Sequence, residues 1–391
     1  MSERVATLAE AAEAFRIFGA AEGSRIPTYA RICEVIAADP ELHGLRLEAP
    51  TGQRLPVLLL AALHDVVLRH PECALAPWYP SVTGEAASLD DPAPALHEGV
   101  DDHRDELIVL LTTRQVQTNE VNRCCAWWWA LGGLTADDSR PIHLIEIGAS
   151  AGITLRLDDY SYELEVELTT AESVDWSAPS GRADSAVRLS TVLRDLTTPL
   201  DDLAAAQEQW REQWQRPRPV VSRVGLDQHP LHVTDPQDAR WLEACVWPEQ
   251  TVRFARLTAA LGAAEQDPPR LVTGDLVDDL APLLESAPHG AHVVVLSSWV
   301  LAYVPRARRS GFVDLLAAAA VDIGERGGRL SLLTLEADPV LPWMPAPPVP
   351  EDAPAEVRHA SILAVTSFDN GVPVARPIAR YQAHLAWMQL L

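Results

Sequence analysis

The chain has no lysine: all 31 of its Lys-plus-Arg residues are arginine. That absence excludes a P-loop, a kinase strand lysine and a pyridoxal-phosphate Schiff base, because each needs an amine at one fixed point. Cysteine is sparse. Cys33, Cys73, Cys124, Cys125 and Cys245 are odd in number, scattered and without a C-x-x-C pair, so no disulfide framework, zinc cage or other metal site is expected. The longest apolar runs, such as residues 57–63, fall far short of a bilayer span. Positive charge is also scarce, with a formal net charge of -24. A surface so acidic repels phosphate backbones and anionic lipid, which argues against nucleic-acid and membrane partners. The densest basic stretch, Arg306, Arg308 and Arg309, is too short to make a binding groove by itself. Residues 1–14 are acidic and alanine-rich, without the basic-then-apolar layout of a secretory signal, and a cytoplasmic protein is expected.

What is present reads as two domains. Over residues 1–115 apolar positions recur at helical period (Leu8, Ala12, Phe15, Phe18), a segment over 55–68 is apolar nearly all round, and no run rivals the strands downstream. This region is expected to be an α-helical cap. A second domain is expected over 116–391, with an insertion over about 161–218. Residues 105–131 read as one or two helices, with Gln115, Thr118 and Asn122 on one polar stripe and Trp127, Trp128 and Trp129 packing. From there strands and helices alternate. Strands are expected over 143–147, 220–227, 271–274, 292–297 and 329–335, with helices over 151–160, 238–262 and 311–324 and a proline-rich loop over 339–354. A hairpin with an Asp369-Asn370-Gly371 turn follows over 361–380. The fold class is therefore α/β, a mostly parallel sheet ending in an antiparallel hairpin.

Ligands of open parallel sheets sit beyond the carboxyl ends of the strands, where strand order reverses. The first strand ends in Glu146, Gly148, Ala149, Ser150 and Gly152, a glycine turn whose backbone can approach a ligand closely and whose following helix would offer free N–H groups. Asp227 ends the second strand, where an acid can accept from both hydroxyls of a ribose, and Asp275 the third, where an acceptor can take the amino proton of an adenine. Ser297 ends the fourth, followed by Trp299 and Tyr303, and Glu336 ends the fifth. Each has a plainer alternative. Glu146 and Asp275 would serve as helix caps, Asp227 as a turn acid, His229 as a surface residue rather than a base, and Ser297 and Trp299 as a strand end and packing.

In this order the motifs Glu-x-Gly, Gly-x-Asp, Gly-Asp-Leu and Ser-Ser-Trp-Val-Leu-x-Tyr-Val-Pro resemble class I S-adenosylmethionine-dependent methyltransferases over roughly residues 140–380, with Ser150 where a middle glycine is usual. The chain is more similar still to an uncharacterised, largely actinobacterial family of domain-of-unknown-function proteins, through Gln-Thr-Asn-Glu-Val at 117–121, Glu-x-Gly-Ala-Ser-Ala-Gly at 146–152 and Val-Trp-Pro-x-Gln at 246–250. Asn122 and Thr154 stand where that pattern carries glycine and asparagine. The resemblance implies a Rossmann-like core and S-adenosylmethionine as cofactor, held by Glu146, Gly148, Ala149, Ser150, Gly152, Asp227, Asp275 and Ser297. Asn119, Glu120, His229, Ser297, Tyr303 and Glu336 are then the candidates for catalysis or for holding the acceptor, a small molecule or a protein. Two other functions stay open. Gly148-x-Ser150-x-Gly152 also satisfies the nucleophile elbow of serine hydrolases, with Asp227 or Asp275 and His359 or His384 completing a triad. The third possibility is a non-catalytic binding protein.

Overall fold

The computed structural model describes residues 7–23, 25–168, 176–195, 202–337, 340, 344–349, 351 and 353–391. The chain packs as two compact units, Met1–Thr118 with Thr234–Thr258, and Asn119–Val233 with Ala259–Leu391. Among the described residues no helix is long and apolar enough to cross a membrane.

The first unit is helical, with no strand among its described residues. Its opening helix, Leu8–Glu22, starts with a capping box: Glu10 N donates to Thr7 Oγ1 (3.2 Å) and Thr7 N to Glu10 Oε2 (2.8 Å). Asp39 ends helix Pro27–Ala38 and caps the next by accepting from Glu41 N at 2.7 Å. Helix Pro56–Arg69 is buried without a break from Leu58 to Val67, as its apolar sequence requires. That stretch includes Asp65, whose carboxylate is tied to Arg240 (3.1 Å) and Arg69 (3.4 Å). Arg240 lies in Pro236–Ala244, so the segment 234–258 contributes its own contacts to this unit; Trp241 Nε1 also donates to Gln115 O at 2.8 Å. The polar stretch 114–120 is not helical, and no stripe of Gln115, Thr118 and Asn122 forms.

The second unit is built on a mixed, mostly parallel sheet. Its strands are β1 (Ile142–Ile147), β2 (Ser161–Leu168), β3 (Ser177–Gly181), β4 (Arg188–Asp195), β5 (Val220–Asp227), β6 (Leu271–Thr273), β7 (His292–Ser298), β8 (Arg329–Glu336), β9 (Ser361–Asp369), β10 (Val372–Tyr381) and β11 (Trp387–Leu390). Their spatial order is β3-β2-β4-β11-β10-β9-β8-β7-β1-β5-β6. From β6 to β8 all neighbours are parallel. The chain moves outward from β1 to β5 and β6, then returns to lay β7 and β8 on the other side, so strand order reverses at β1 and β7. These two strands are buried almost end to end, each large aliphatic side chain contributing about 1.5–3 kcal/mol. The hairpin β9–β10 turns at Asn370 and Gly371, both with positive φ as a type I′ turn needs. Its first strand runs antiparallel beside β8. The region expected as an insertion supplies β2, β3 and β4, and β4 joins the same sheet through β11; its residues 169–175 and 196–201 lie outside the described residues, as does part of the proline-rich loop.

Two further elements differ from expectation. Helix Arg306–Glu325 starts behind Pro305, not at Gly311. More consequentially, the helix expected over 151–160 is a short 3-10 turn, Ile153–Asp159, irregular at Arg156. The carbonyls that an α-helix would use are taken by side chains: Ile153 O by the Tyr160 hydroxyl, Leu157 O by the Tyr162 hydroxyl, and Leu155 O by Arg223 Nη1 at 2.8 Å.

Candidate functional site

The glycine turn after β1 alternates left-handed residues, Gly148 (φ 67°), Ser150 (φ 53°) and Gly152 (φ 68°). Ser150 thus holds a left-handed conformation that favours glycine, at a cost of roughly 1–2 kcal/mol. The turn faces its own protein. Gly148 N and Ala149 N donate to Leu226 O (2.8 and 3.3 Å), Ser150 N to Asp227 Oδ2 (2.8 Å), and Gly152 N to Ala149 O (2.7 Å). A Cβ at Gly148 would come within 2.2 Å of Val300 Cγ2, and one at Gly152 within 2.9 Å of Leu271 and Pro269. Close approach at these glycines is therefore to Val300, Leu271 and Pro269, and the amides of Gly148, Ala149, Ser150 and Gly152 are engaged within the protein. Gly148→Ala is expected to cost about 2–4 kcal/mol, from strain plus overpacking. Adding Val300→Ala should restore the overpacking part only, measured by denaturant unfolding of the single and double variants.

The acids at the neighbouring strand ends are also committed to the protein. Asp227 accepts from Ser150 N and, through Oδ1, from His229 N at 2.8 Å. Asp275 accepts from Val277 N (2.8 Å), Gln228 Nε2 (2.8 Å) and both terminal nitrogens of Arg308 (2.9 and 3.2 Å). Burial raises its pKa, but the Val277 and Asp278 amides together with Arg308 outweigh that and hold it below the usual range. Asp275 closes the turn that follows β6 through the amides of Val277 and Asp278, and it caps no helix, because the next one, Ala281–Glu285, begins behind Leu280. Tyr303 is 85% exposed, and His229 is exposed as well. Neither is enclosed with the buried groups below. The hydrolase triad does not assemble from its candidates either: Asp227 and Asp275 are spent as above, His359 is exposed, and His384 Nδ1 lies 3.2 Å from Glu120 Oε2.

What the fold does gather, at the ends of β1, β7 and β8, is a buried ionisable cluster. The 3-10 turn Val121–Arg123, capped by Glu120 Oε1 accepting from Asn122 N (3.1 Å), supplies Arg123. Arg123 is buried; Nη1 donates to Ser298 Oγ (3.1 Å), Nε to Ala383 O (3.2 Å), and its guanidinium carbon lies 6.0 Å from the Trp299 ring centre. Its charge acts on Glu146, Glu336 and Tyr381. Glu146 Oε1 accepts from the Thr154 hydroxyl. Burial pushes this carboxyl up to about 8, with Asp227 adding to the rise and Thr154 and Arg123 opposing it. Glu336 Oε1 accepts three bonds, from Ser297 Oγ (2.9 Å), Val300 N (3.0 Å) and Leu301 N (3.1 Å). Burial still raises its pKa against them.

The second oxygens are the telling atoms. Glu146 Oε2, Glu336 Oε2 and Asn119 Nδ2 are all buried without a hydrogen-bond partner among the described residues. Each such group costs about 1–3 kcal/mol. A buried guanidinium beside two carboxyls with spare oxygens complements an α-amino-acid group: cation for carboxylate, oxygens for ammonium.

Of the expected site residues, Glu146, Ser297, Glu336 and Asn119 contribute to this inventory of buried groups, while Glu120 is engaged in capping and with His384. Arg123 and Tyr381 were not anticipated. In a chain whose every basic residue is arginine, nothing in Arg123's type marks it; its place just after the 117–121 motif is the one available signal. The two departures from the family pattern are structural. Asn122 Nδ2 ties Ser190 O (2.9 Å) to Leu385 O (3.0 Å), and Thr154 is the partner of Glu146.

Residues 12–389 match a family described as "Uncharacterized protein conserved in bacteria (DUF2332)". No curated protein matches the chain.

Proposed function

The chain belongs to this bacterial family, whose description names no reaction, and we propose that it is an S-adenosylmethionine-dependent methyltransferase acting on a small-molecule or protein acceptor. The observation that carries the reading is Arg123 buried with Glu146 and Glu336, each with one unpartnered oxygen, where strand order reverses. The donor is an α-amino acid at one end, and this set fits that end: Arg123 for its carboxylate, the spare oxygens of Glu146 and Glu336 for its ammonium. The parallel block β6-β5-β1-β7-β8, with an antiparallel strand beside β8, supports the finer assignment of a Rossmann-like, class I methyltransferase-type core.

The bound sulfonium supplies an activated methyl group with its own leaving group, so the protein's work is alignment and exclusion of water. That chemistry needs no lysine. Arg123, held by Ser298 and Ala383, is fixed before a ligand arrives, so little side-chain entropy is lost on binding. Glu146 is mostly protonated at neutral pH and ionises to receive an ammonium, so affinity rises with pH towards 8. Asp227 is spent on backbone amides, and the reading no longer depends on it or on Asp275.

Calorimetry with S-adenosylhomocysteine tests the proposal. Binding at one site per chain, with methylthioadenosine (which lacks the amino-acid group) weaker by at least tenfold, is expected. Absence of heat at millimolar ligand would sink it. Labelling of Ser150 by a fluorophosphonate would instead establish the hydrolase alternative.

A further inference from the structure

In the helical unit, helix Pro56–Arg69 is followed by His70, whose backbone N–H closes it on Val66 O at 2.8 Å. His103 stands at the N-cap of helix Arg104–Thr113, and Glu106 lies in that helix's first turn. The two segments meet through side chains. Glu106 Oε1 lies 3.1 Å from His70 Nε2 and 3.5 Å from His103 Nδ1. One ligand atom from each of the three residues lies within 4.8 Å of the others. All three side chains are partly open to solvent, at 27%, 17% and 32% exposure, so an ion can reach them.

We infer that His70, His103 and Glu106 form a site for one divalent transition-metal ion, best suited to Zn²⁺, with water completing the coordination. Two imidazole nitrogens and one carboxylate oxygen are the donor set of such borderline ions, whereas Mg²⁺ and Ca²⁺ take oxygen throughout. The carboxylate of the triad is held from behind, as metal-ligating carboxylates are. Arg69 Nη1 donates to Glu106 Oε2 at 2.7 Å, leaving Oε1 as a single donor. The imidazole rings are stacked, with centroids 4.2 Å apart and planes at 20°. Two near-parallel rings cannot both aim an in-plane lone pair at one ion, so binding turns one of them out of the stack. Cysteine spacing gave no sign of this site, because its ligands are two histidines and a glutamate from segments as much as 36 positions apart.

The full chain, stripped with a chelator and titrated with ZnCl₂ at pH 7.5, is expected to bind one ion and to gain melting temperature. Co²⁺ in its place should show the ligand-field absorption of a nitrogen–oxygen site without thiolate charge transfer. Mg²⁺ and Ca²⁺ should give no heat. His103→Ala and Glu106→Gln should each weaken Zn²⁺ at least tenfold while far-UV circular dichroism stays unchanged; the Gln variant keeps the side-chain volume. No Zn²⁺ binding by the stripped chain would overturn the inference. So would undiminished affinity in both variants, or a thiolate signature from Co²⁺.

Discussion

Arg123→Met should lose at least a hundredfold in S-adenosylhomocysteine affinity while its affinity for methylthioadenosine changes little. Only the first ligand carries the carboxylate that Arg123 would pair, and a buried bidentate partner of that kind is worth several kcal/mol. The same substitution takes the nearby cation from two buried carboxyls and leaves Ala383 O and Ser298 Oγ without their donor. Breaking a buried ion cluster by removing one partner costs about 3–5 kcal/mol. Methionine fills most of the space, so that cost is electrostatic rather than a cavity. It should therefore be larger at pH 9, where Glu146 and Glu336 are driven to ionise, than at pH 6, where Glu146 is neutral without help. Unfolding at the two pH values, alongside calorimetry with the two ligands, separates the roles. Equal losses of both ligands would mean that Arg123 only supports the fold, and the amino-acid pocket would have to be abandoned.

The sheet was far more legible in the sequence than the site. Strands β1, β7 and β8 are largely apolar runs bounded by turn residues, and the Asn370-Gly371 turn fixes its hairpin by φ alone. Local chemistry decides such elements, so a local reading finds them. The segment after Gly152 misleads because its carbonyls are taken by the hydroxyls of Tyr160 and Tyr162, which reach back from just beyond it, and by Arg223, which comes from 68 positions away. The glycine turn misleads in another way. Its spacing states that the backbone must be approached closely, but not by what, and here the visitor is Val300. Asp275 ended a strand as a ligand acceptor would, yet Arg308, far along the chain, claims it. Glu146 and Glu336 were visible as strand-end acids. Their significance was not, since it lies in an unpaired second oxygen and a shared neighbour, Arg123, which only the assembled sheet reveals.

Glu146→Gln should make the ligand-free protein more stable at pH 8.5 and bind S-adenosylhomocysteine poorly at every pH. The direction follows from linkage. A carboxyl that titrates near 4.5 when unfolded and about 8 when folded keeps its proton in the native state across that window, while the unfolded chain releases it. The stability this proton confers is fully present below about pH 4.5 and is lost progressively as pH rises to 8. At about 1.4 kcal/mol per unit the total loss is on the order of 4–5 kcal/mol. Glu336, raised by burial as well, adds to the decline in the same direction. Glutamine has no proton to lose and still offers Oε1 to the Thr154 hydroxyl, so the variant's stability curve should flatten over pH 5–8 and cross above the wild type. Its amide donates where an ammonium needs an acceptor, and binding fails for that reason. Wild-type affinity, by contrast, should climb from pH 6 to 8 as the cost of ionising Glu146 falls, roughly tenfold per unit at most. Denaturant unfolding and calorimetry at pH 6, 7, 8 and 9 follow both trends in one protein. A wild-type stability flat over pH 5–8, with Glu146→Gln no different, would show that Glu146 ionises freely in the fold, and the ammonium site would lose its basis.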